Sequence, residues 1–406
     1  MPVLRFPEFR DTREWKLLHG DKVFDQISNK DHNSDLPILA ITQEYGAIPR
    51  EEINYNVSVT DKSIESYKVV EAGDFIISLR SFQGGIEYSN YKGLCSPAYV
   101  ILRKKIDVSN HFYKQLFKTN IFIQSMSKNI EGIRDGKMVS YKQFSELLLP
   151  YPLPDEQQKI ADFLISVDEL ITFQTQKLDA LKTHKKGLMQ QLFPDEGETV
   201  PKRRFPGFRG KGEWATACLG VIASIKSGST PLRSNSKFHD GGDIPWVKTT
   251  DLNNSFICST EECITSLSNP RINPEETVLV AMYGGFNQIG RTGFLKIPAA
   301  TNQALSALNT DRSKVLPFYL LMWLNAKVED WKKIASSSRK DPNITGSDVA
   351  DFPIKFPCVE EQQKIADCLN SIDELISNQV KKVEALKAHK KGLVQQLFPT
   401  MNEVGV

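Results

Sequence analysis

The sequence predicts two mixed α/β (α+β) globular domains separated by an antiparallel two-helix coiled coil, an internal duplication with pseudo-twofold symmetry. Three observations predict it. The 39 residues from Glu156 to Pro194 recur from Glu361 to Pro399 without a gap, with about 28 positions identical. Each copy places apolar residues at alternating steps of four and three, the seam of a coiled coil. Each also follows a globular stretch with the same opening, Arg5-Phe6-Pro7-Glu8-Phe9-Arg10 in one half and Arg204-Phe205-Pro206-Gly207-Phe208-Arg209 in the other. A repeat of this length is read as one structural unit before a fold is assigned.

Residues 1–150 form the first domain. Leu36–Thr42 reads as a short strand entering a polar loop, and Ala72-Gly73-Asp74 precedes an apolar strand, Phe75–Leu79. That strand runs into Arg80-Ser81-Phe82-Gln83-Gly84-Gly85, and a helical stretch over 111–127 follows. Residues 151–194 are the first spacer helix. Pro150, Pro152 and Pro154 exclude helix upstream, and Asp155 with Gln158 fits a capping box. The seam is Ile160, Leu164, Val167, Ile171, Leu178, Leu181, Leu188 and Leu192, with Gln174 and Lys185 at its polar positions. Phe193-Pro194 closes the helix.

A polar linker, 195–203, leads to the second domain, 204–358. Ile244–Thr250 answers to the first strand and loop. Val278–Met282 answers to the second and enters Tyr283-Gly284-Gly285-Phe286-Asn287-Gln288; helix is expected over 315–335. The second spacer helix, 359–399, has the seam Ile365, Leu369, Ile372, Ile376, Val383, Leu386, Leu393 and Leu397, with Gln379 and Lys390 polar; 400–406 is a tail. The second domain joins the end of one helix to the start of the other. If compact, it makes the pair antiparallel. A helix of this length is a rod of ~57 Å at ~1.5 Å rise per residue, against ~34–36 Å for one duplex turn.

Composition excludes several classes. At 40% hydrophobic and 25% charged residues the chain is ordinary for a soluble protein. It has no apolar run of membrane-spanning length and no signal-like start, which predicts a cytoplasmic protein without a membrane partner. Six cysteines without a CxxC pair suggest reduced thiols; Cys258 and Cys263 lack nearby histidines for a zinc site. Net charge is only +2, so any nucleic-acid surface is a local patch or is completed by partners. No phosphate loop, HExxH or methyltransferase cofactor loop appears; Ser96-Pro97-Ala98-Tyr99 only partly matches an amino-methyltransferase tetrapeptide. The sequence contains no catalytic constellation, no metal site and no cofactor site.

The loops after the matched strands carry the side chains suited to base edges. The candidates are Thr42, Gln43, Arg80, Ser81 and Gln83 in the first domain, and Lys248, Thr249, Thr250, Tyr283, Asn287, Gln288 and Arg291 in the second. Any one polar loop residue can simply be solvated. Two matching loop pairs on a duplicated scaffold argue for DNA contact.

The order domain, EQQKIA helix, domain, EQQKIA helix resembles the specificity subunit of bacterial Type I restriction–modification enzymes over essentially the whole chain. The residues that carry the likeness are Glu156–Ala161 with Leu192-Phe193-Pro194, their repeats Glu361–Ala366 and Leu397–Pro399, and the segments Ile244–Val247 and Ala300–Gln303. The resemblance implies a non-catalytic subunit with two target recognition domains, each reading half of a bipartite site in double-stranded DNA. It implies two modification (methyltransferase) subunits docked on the helices, and ATP-dependent restriction subunits. S-adenosylmethionine, ATP and Mg belong to those partners. Two other readings stay open: a stand-alone sequence-specific DNA-binding protein, which would shift operator DNA without partners, and a methyltransferase with disguised motifs, which would bind the cofactor alone.

Overall fold

A computed structural model describes residues 1–33, 35–53, 64–128, 139–336 and 343–399; the tail 400–406 lies outside the described residues. The chain forms two compact units, Met1–Thr175 with Lys381–Val406, and Gln176–Val380. Each unit combines β-sheets and helices, so each is an α/β body. Each also takes the beginning of one long helix and the end of the other.

The first unit contributes β1 (Lys16–His19), β2 (Phe24–Ile27), β3 (Leu39–Thr42), β4 (Gly46–Pro49), β5 (Lys68–Val70), β6 (Phe75–Ile77), β7 (Glu87–Tyr88), β8 (Gly93–Cys95), β9 (Val100–Lys104) and β10 (Leu148–Tyr151). Strands β2, β9, β6 and β7 form one antiparallel sheet in that order, and β1–β10, β3–β4 and β5–β8 pair in twos. The unbroken apolar run of β6 follows from its central place. Phe75 and Ile77 face a cluster rich in aromatic residues, while Ile76 faces Leu39, Val70 and Ile101 on the other side. The second unit contributes β11 (Ala215–Cys218), β12 (Ala223–Ser227), β13 (Ile244–Val247), β14 (Ser255–Ile257), β15 (Glu262–Ile264), β16 (Val278–Ala281), β17 (Thr292–Leu295), β18 (Ala300–Thr301), β19 (Leu305–Thr310) and β20 (Pro353–Phe356). Its main sheet runs β12-β19-β16-β17-β14, and β16 repeats the logic of β6: Val278 and Val280 face one cluster, Leu279 and Ala281 another.

The helical stretches differ from expectation in one respect. Each is two helices, Asn110–Leu116 with Asn120–Lys128, and Pro317–Ala326 with Val328–Ser336. In the first case Thr119 causes the break: its hydroxyl accepts from Phe122 N and donates to Leu116 O, capping the second helix.

The repeated segment forms helices Pro154–Leu192 and Val359–Leu397. The first starts on Pro154, whose missing N–H costs nothing at a first helical position. Asp155 therefore lies in the first turn, and the expected capping box does not form; Gln158 donates instead to Asp162 Oδ1 at 2.6 Å. All sixteen seam residues are buried or partly buried. In the first unit, Asp168 of the first helix pairs with Lys390 of the second at 2.6 Å; in the second unit, Asp373 pairs with Lys185 at 2.6 Å. These are the same pair of repeat positions with the helices exchanged.

The ends of the repeat are fixed to the globular parts. Arg5 makes a two-pronged contact with Glu156, Nε to Oε1 at 2.6 Å and Nη2 to Oε2 at 2.7 Å, and Arg204 does the same to Glu361 at 2.9 and 2.5 Å. The buried Gln157 accepts from Ser109 N at 3.0 Å and donates to Pro152 O at 3.0 Å. Gln362 accepts from Leu316 N and donates to Pro357 O, both at 2.9 Å. At the other ends Phe193 lies edge-on to Tyr319 and Trp323, and Phe398 packs on Phe112.

Candidate nucleic-acid interface

In each unit the central strand delivers its glycine-rich loop beside the loop of the other matched strand. In the first unit, β3 and β4 form a hairpin closed by Thr42, whose hydroxyl donates to Gly46 O at 3.1 Å and accepts from Tyr45 N at 3.0 Å. The Gln43 side chain lies against Gly84, where a Cβ would collide with it. Lys118 joins the two loops: its amine donates to Gly84 O at 3.0 Å and Gln43 O at 3.5 Å and pairs with Glu87 at 2.5 Å. Glu87 is 2% exposed, and burial raises its carboxyl above the ordinary range while Lys118 opposes the shift.

The second unit repeats the arrangement. After β13 the chain makes a 3-10 turn, Thr249–Asp251, held by Lys248 N donating to Asp251 Oδ2 at 2.7 Å. Gly284, at φ +117°, lies within 3.4 Å of Gln288 and Thr249 for an added Cβ, so the two loops touch. Arg291 donates to Gln288 Oε1 at 2.9 Å, and Lys332 sits 5.9 Å from the Phe286 ring.

The structure thus brings together Thr42, Gln43, Arg80 and Gln83 in one unit, and Thr249, Thr250, Tyr283, Asn287, Gln288 and Arg291 in the other. Gln43, Arg80, Gln83, Thr250, Tyr283 and Asn287 are exposed. Two residues have other work. Ser81 is 1% exposed and its hydroxyl accepts from Ser78 N at 2.8 Å, so it shapes the turn and cannot reach a base edge. Lys248 bonds Glu262 at 2.7 Å and Glu261 at 3.1 Å, and those carboxylates raise its pKa.

Sequence reasoning missed Tyr45, 59% exposed at the hairpin tip, and Phe286, 45% exposed. The Tyr45-Gly46 step after a strand was the available signal for the first. Lys118 gave none, because only the fold brings it to the loops. The Ser96-Pro97-Ala98-Tyr99 segment is a turn, with Tyr99 N donating to Ser96 O at 3.1 Å and Lys68 reaching Tyr99 O at 2.7 Å. Among the described residues no group of His, Cys, Asp or Glu is placed to share a metal ion, and no helix is long and apolar enough to cross a membrane.

The Type I restriction modification DNA specificity domain family matches residues 18–183 and 211–388. The chain is 30% identical to the Type I restriction enzyme MjaIX specificity subunit of Methanocaldococcus jannaschii, over 43% of this chain and 41% of that relative. It is 24% identical to a Type I restriction enzyme specificity subunit of Escherichia coli, over 60% of each. The chain thus spans less than two thirds of these curated relatives. Its fold is similar to the crystal structure of a Type I restriction-modification S subunit from M. genitalium, with a TM-score of 0.59, 15% identity, and 99% and 100% of the two chains covered. With most of the chain matched by the family in two successive segments, the chain belongs to the Type I restriction modification DNA specificity domain family.

Proposed function

We propose that the chain is the non-catalytic DNA sequence-recognition subunit of a Type I restriction–modification enzyme, working in the cytoplasm. Residues 1–150 and 204–358 are its target recognition domains, each reading one half of a bipartite site in duplex DNA. The observation that carries this reading is the repeated pairing of a strand-end loop with a glycine-rich loop, once in each unit. The reading surface is Gln43, Tyr45, Arg80 and Gln83 in one domain and Thr250, Tyr283, Asn287, Gln288 and Arg291 in the other. Arg and the amide side chains suit guanine and adenine edges respectively; the exposed tyrosines add apolar and stacking surface.

The two long helices form an antiparallel coiled coil that sets the unread spacer. Supporting this, each unit packs the start of one helix on the end of the other through the Asp–Lys pair. Two methyltransferase subunits dock on the outward helix faces, where Leu170 and Leu375 occupy the same repeat position at 43% and 54% exposure. ATP-dependent restriction subunits join them.

The test is to co-express the chain with a modification subunit and map methylated sites by sequencing. Residues 1–150 are then exchanged for those of a relative. One half of the site should change and the other, with the spacer, should persist. A change in both halves refutes independent readers, and methylation without this chain refutes the role altogether.

A further inference from the structure

The duplication makes each unit a control for the other. In the first unit the Arg-Phe-Pro segment folds over the long helices, and the space beneath it is filled. Phe163 meets Phe6 edge-on, with centroids 5.6 Å apart and planes at 83°, and Leu4 joins them on the unit's core. In the second unit the same place is a cavity of about 380 Å³, lined by residues from His184 to Cys368.

Residue-by-residue comparison explains the difference. Leu188, Leu192, Phe205 and Pro206 at the cavity correspond to Leu393, Leu397, Phe6 and Pro7, and His184, Arg204 and Arg209 also match identical residues. Only two lining positions differ: Phe163 becomes Cys368, and Leu4 becomes Arg203. The first change removes a ring from a packed place; the second adds a cation beside the space it leaves.

The electrostatics point the same way. Arg204 is neutralised by Glu361. Arg203 and Arg209 are exposed at the rim, in no ion pair among the described residues, and the lining includes no carboxylate. An unfilled space of this size is at the small end of ligand sites.

We propose that this cavity binds a small aromatic carboxylate. Its ring lies on Phe205 as the Phe163 ring lies on Phe6, and its carboxylate meets Arg203 and Arg209. At the twin place of the first unit the Phe163 ring occupies this position instead.

The test uses the full-length chain with benzoate, and with benzamide as the uncharged probe of the same shape, followed by ligand-observed NMR and calorimetry. Benzoate should bind, and benzamide about tenfold more weakly, the worth of one charged hydrogen bond. Cys368→Phe, which installs the side chain its twin accommodates, should abolish binding. Arg203→Leu, also the twin's residue, should leave a folded chain whose preference for benzoate over benzamide is reduced, with Arg209 supplying what remains. Absence of benzoate binding, benzoate binding undiminished in Cys368→Phe, or an unchanged preference in Arg203→Leu would each overturn the assignment.

Discussion

Replacing Arg204 by Met tests what holds the second long helix to its unit. Glu361 is 1% exposed at its side chain, and both its oxygens are taken by Arg204. The variant leaves a carboxylate buried without its partner, a change that costs about 3–5 kcal/mol. The arginine also donates to Gly212 O at 3.0 Å, so part of the loss falls on the chain beside the helix start. At 1.4 kcal/mol per tenfold, the loss corresponds to a roughly 10²- to 4 × 10³-fold larger open population. Hydrogen exchange of amides 361–369 reads this locally. Arg5→Met should do the same for 156–164, because Arg5 and Glu156 are 7% and 0% exposed. The double variant Arg204→Met/Glu361→Leu should recover at least half of the loss, since no buried charge then remains. Exchange that is unchanged in Arg204→Met, or a double variant as open as the single one, would refute the account of the pair as the fastening of the helix.

Three further outcomes are expected. Phe193→Ala removes a ring 3% exposed that packs 5.7 Å from Tyr319 and 5.6 Å from Trp323, and should cost about 3–5 kcal/mol in urea unfolding of the second unit; a loss below about 1 kcal/mol would show that the helix end is not part of that core. Burial raises the Glu87 pKa in the folded state, so its contribution to stability is fully present below the ordinary carboxylate value of ~4.3 and is lost as pH rises through the folded value. Comparing wild type with Glu87→Gln from pH 4 to 7 should therefore show the gap moving in favour of the variant; a pH-independent gap contradicts it. Adding one turn to both long helices lengthens the rod by ~5.4 Å and should widen the spacer by one or two base pairs with both half-sites intact; an unchanged spacer in methylation mapping would sink the ruler idea.

Two α/β bodies and two long helices were legible because periodicity and repetition can be read from the sequence alone, but the capping of the first helix start was not. Nor were the partners of the repeat. Glu156 reads as an ordinary first-turn carboxylate, and its contact with Arg5, 151 residues away, exists only in the fold. Loop candidates were legible as chemistry but not as availability. Ser81 and Gln83 stand two residues apart in one loop, yet the first is buried in the turn and the second is exposed. Composition says nothing about such placement, because burial there depends on which way each residue of a one-turn helix, Ser81–Gly84, faces.

The contacts also explain why the helices stayed alike while the loops diverged. Glu156, Gln157, Ile160, Ala161, Leu164, Leu192 and Phe193 are all buried, and each has the identical residue at its twin position. Every one touches a globular core or its backbone, so a change would disturb packing or strand a polar group. Of the eleven positions that differ between the copies, five are exposed in both, and Val167/Ile372 and Leu178/Val383 keep the seam apolar. The remaining four are half-buried in both copies: Ile165/Asn370, Thr175/Val380, Met189/Val394 and Phe163/Cys368. The last exchanges a large side chain for a small one at a packed position, where an unfilled space is ordinarily costly. Its neighbour Arg203 departs from its twin in the same cavity, and the two departures together supply a hole and a charge. The proposed occupant would use both departures, the hole for its ring and the charge for its carboxylate.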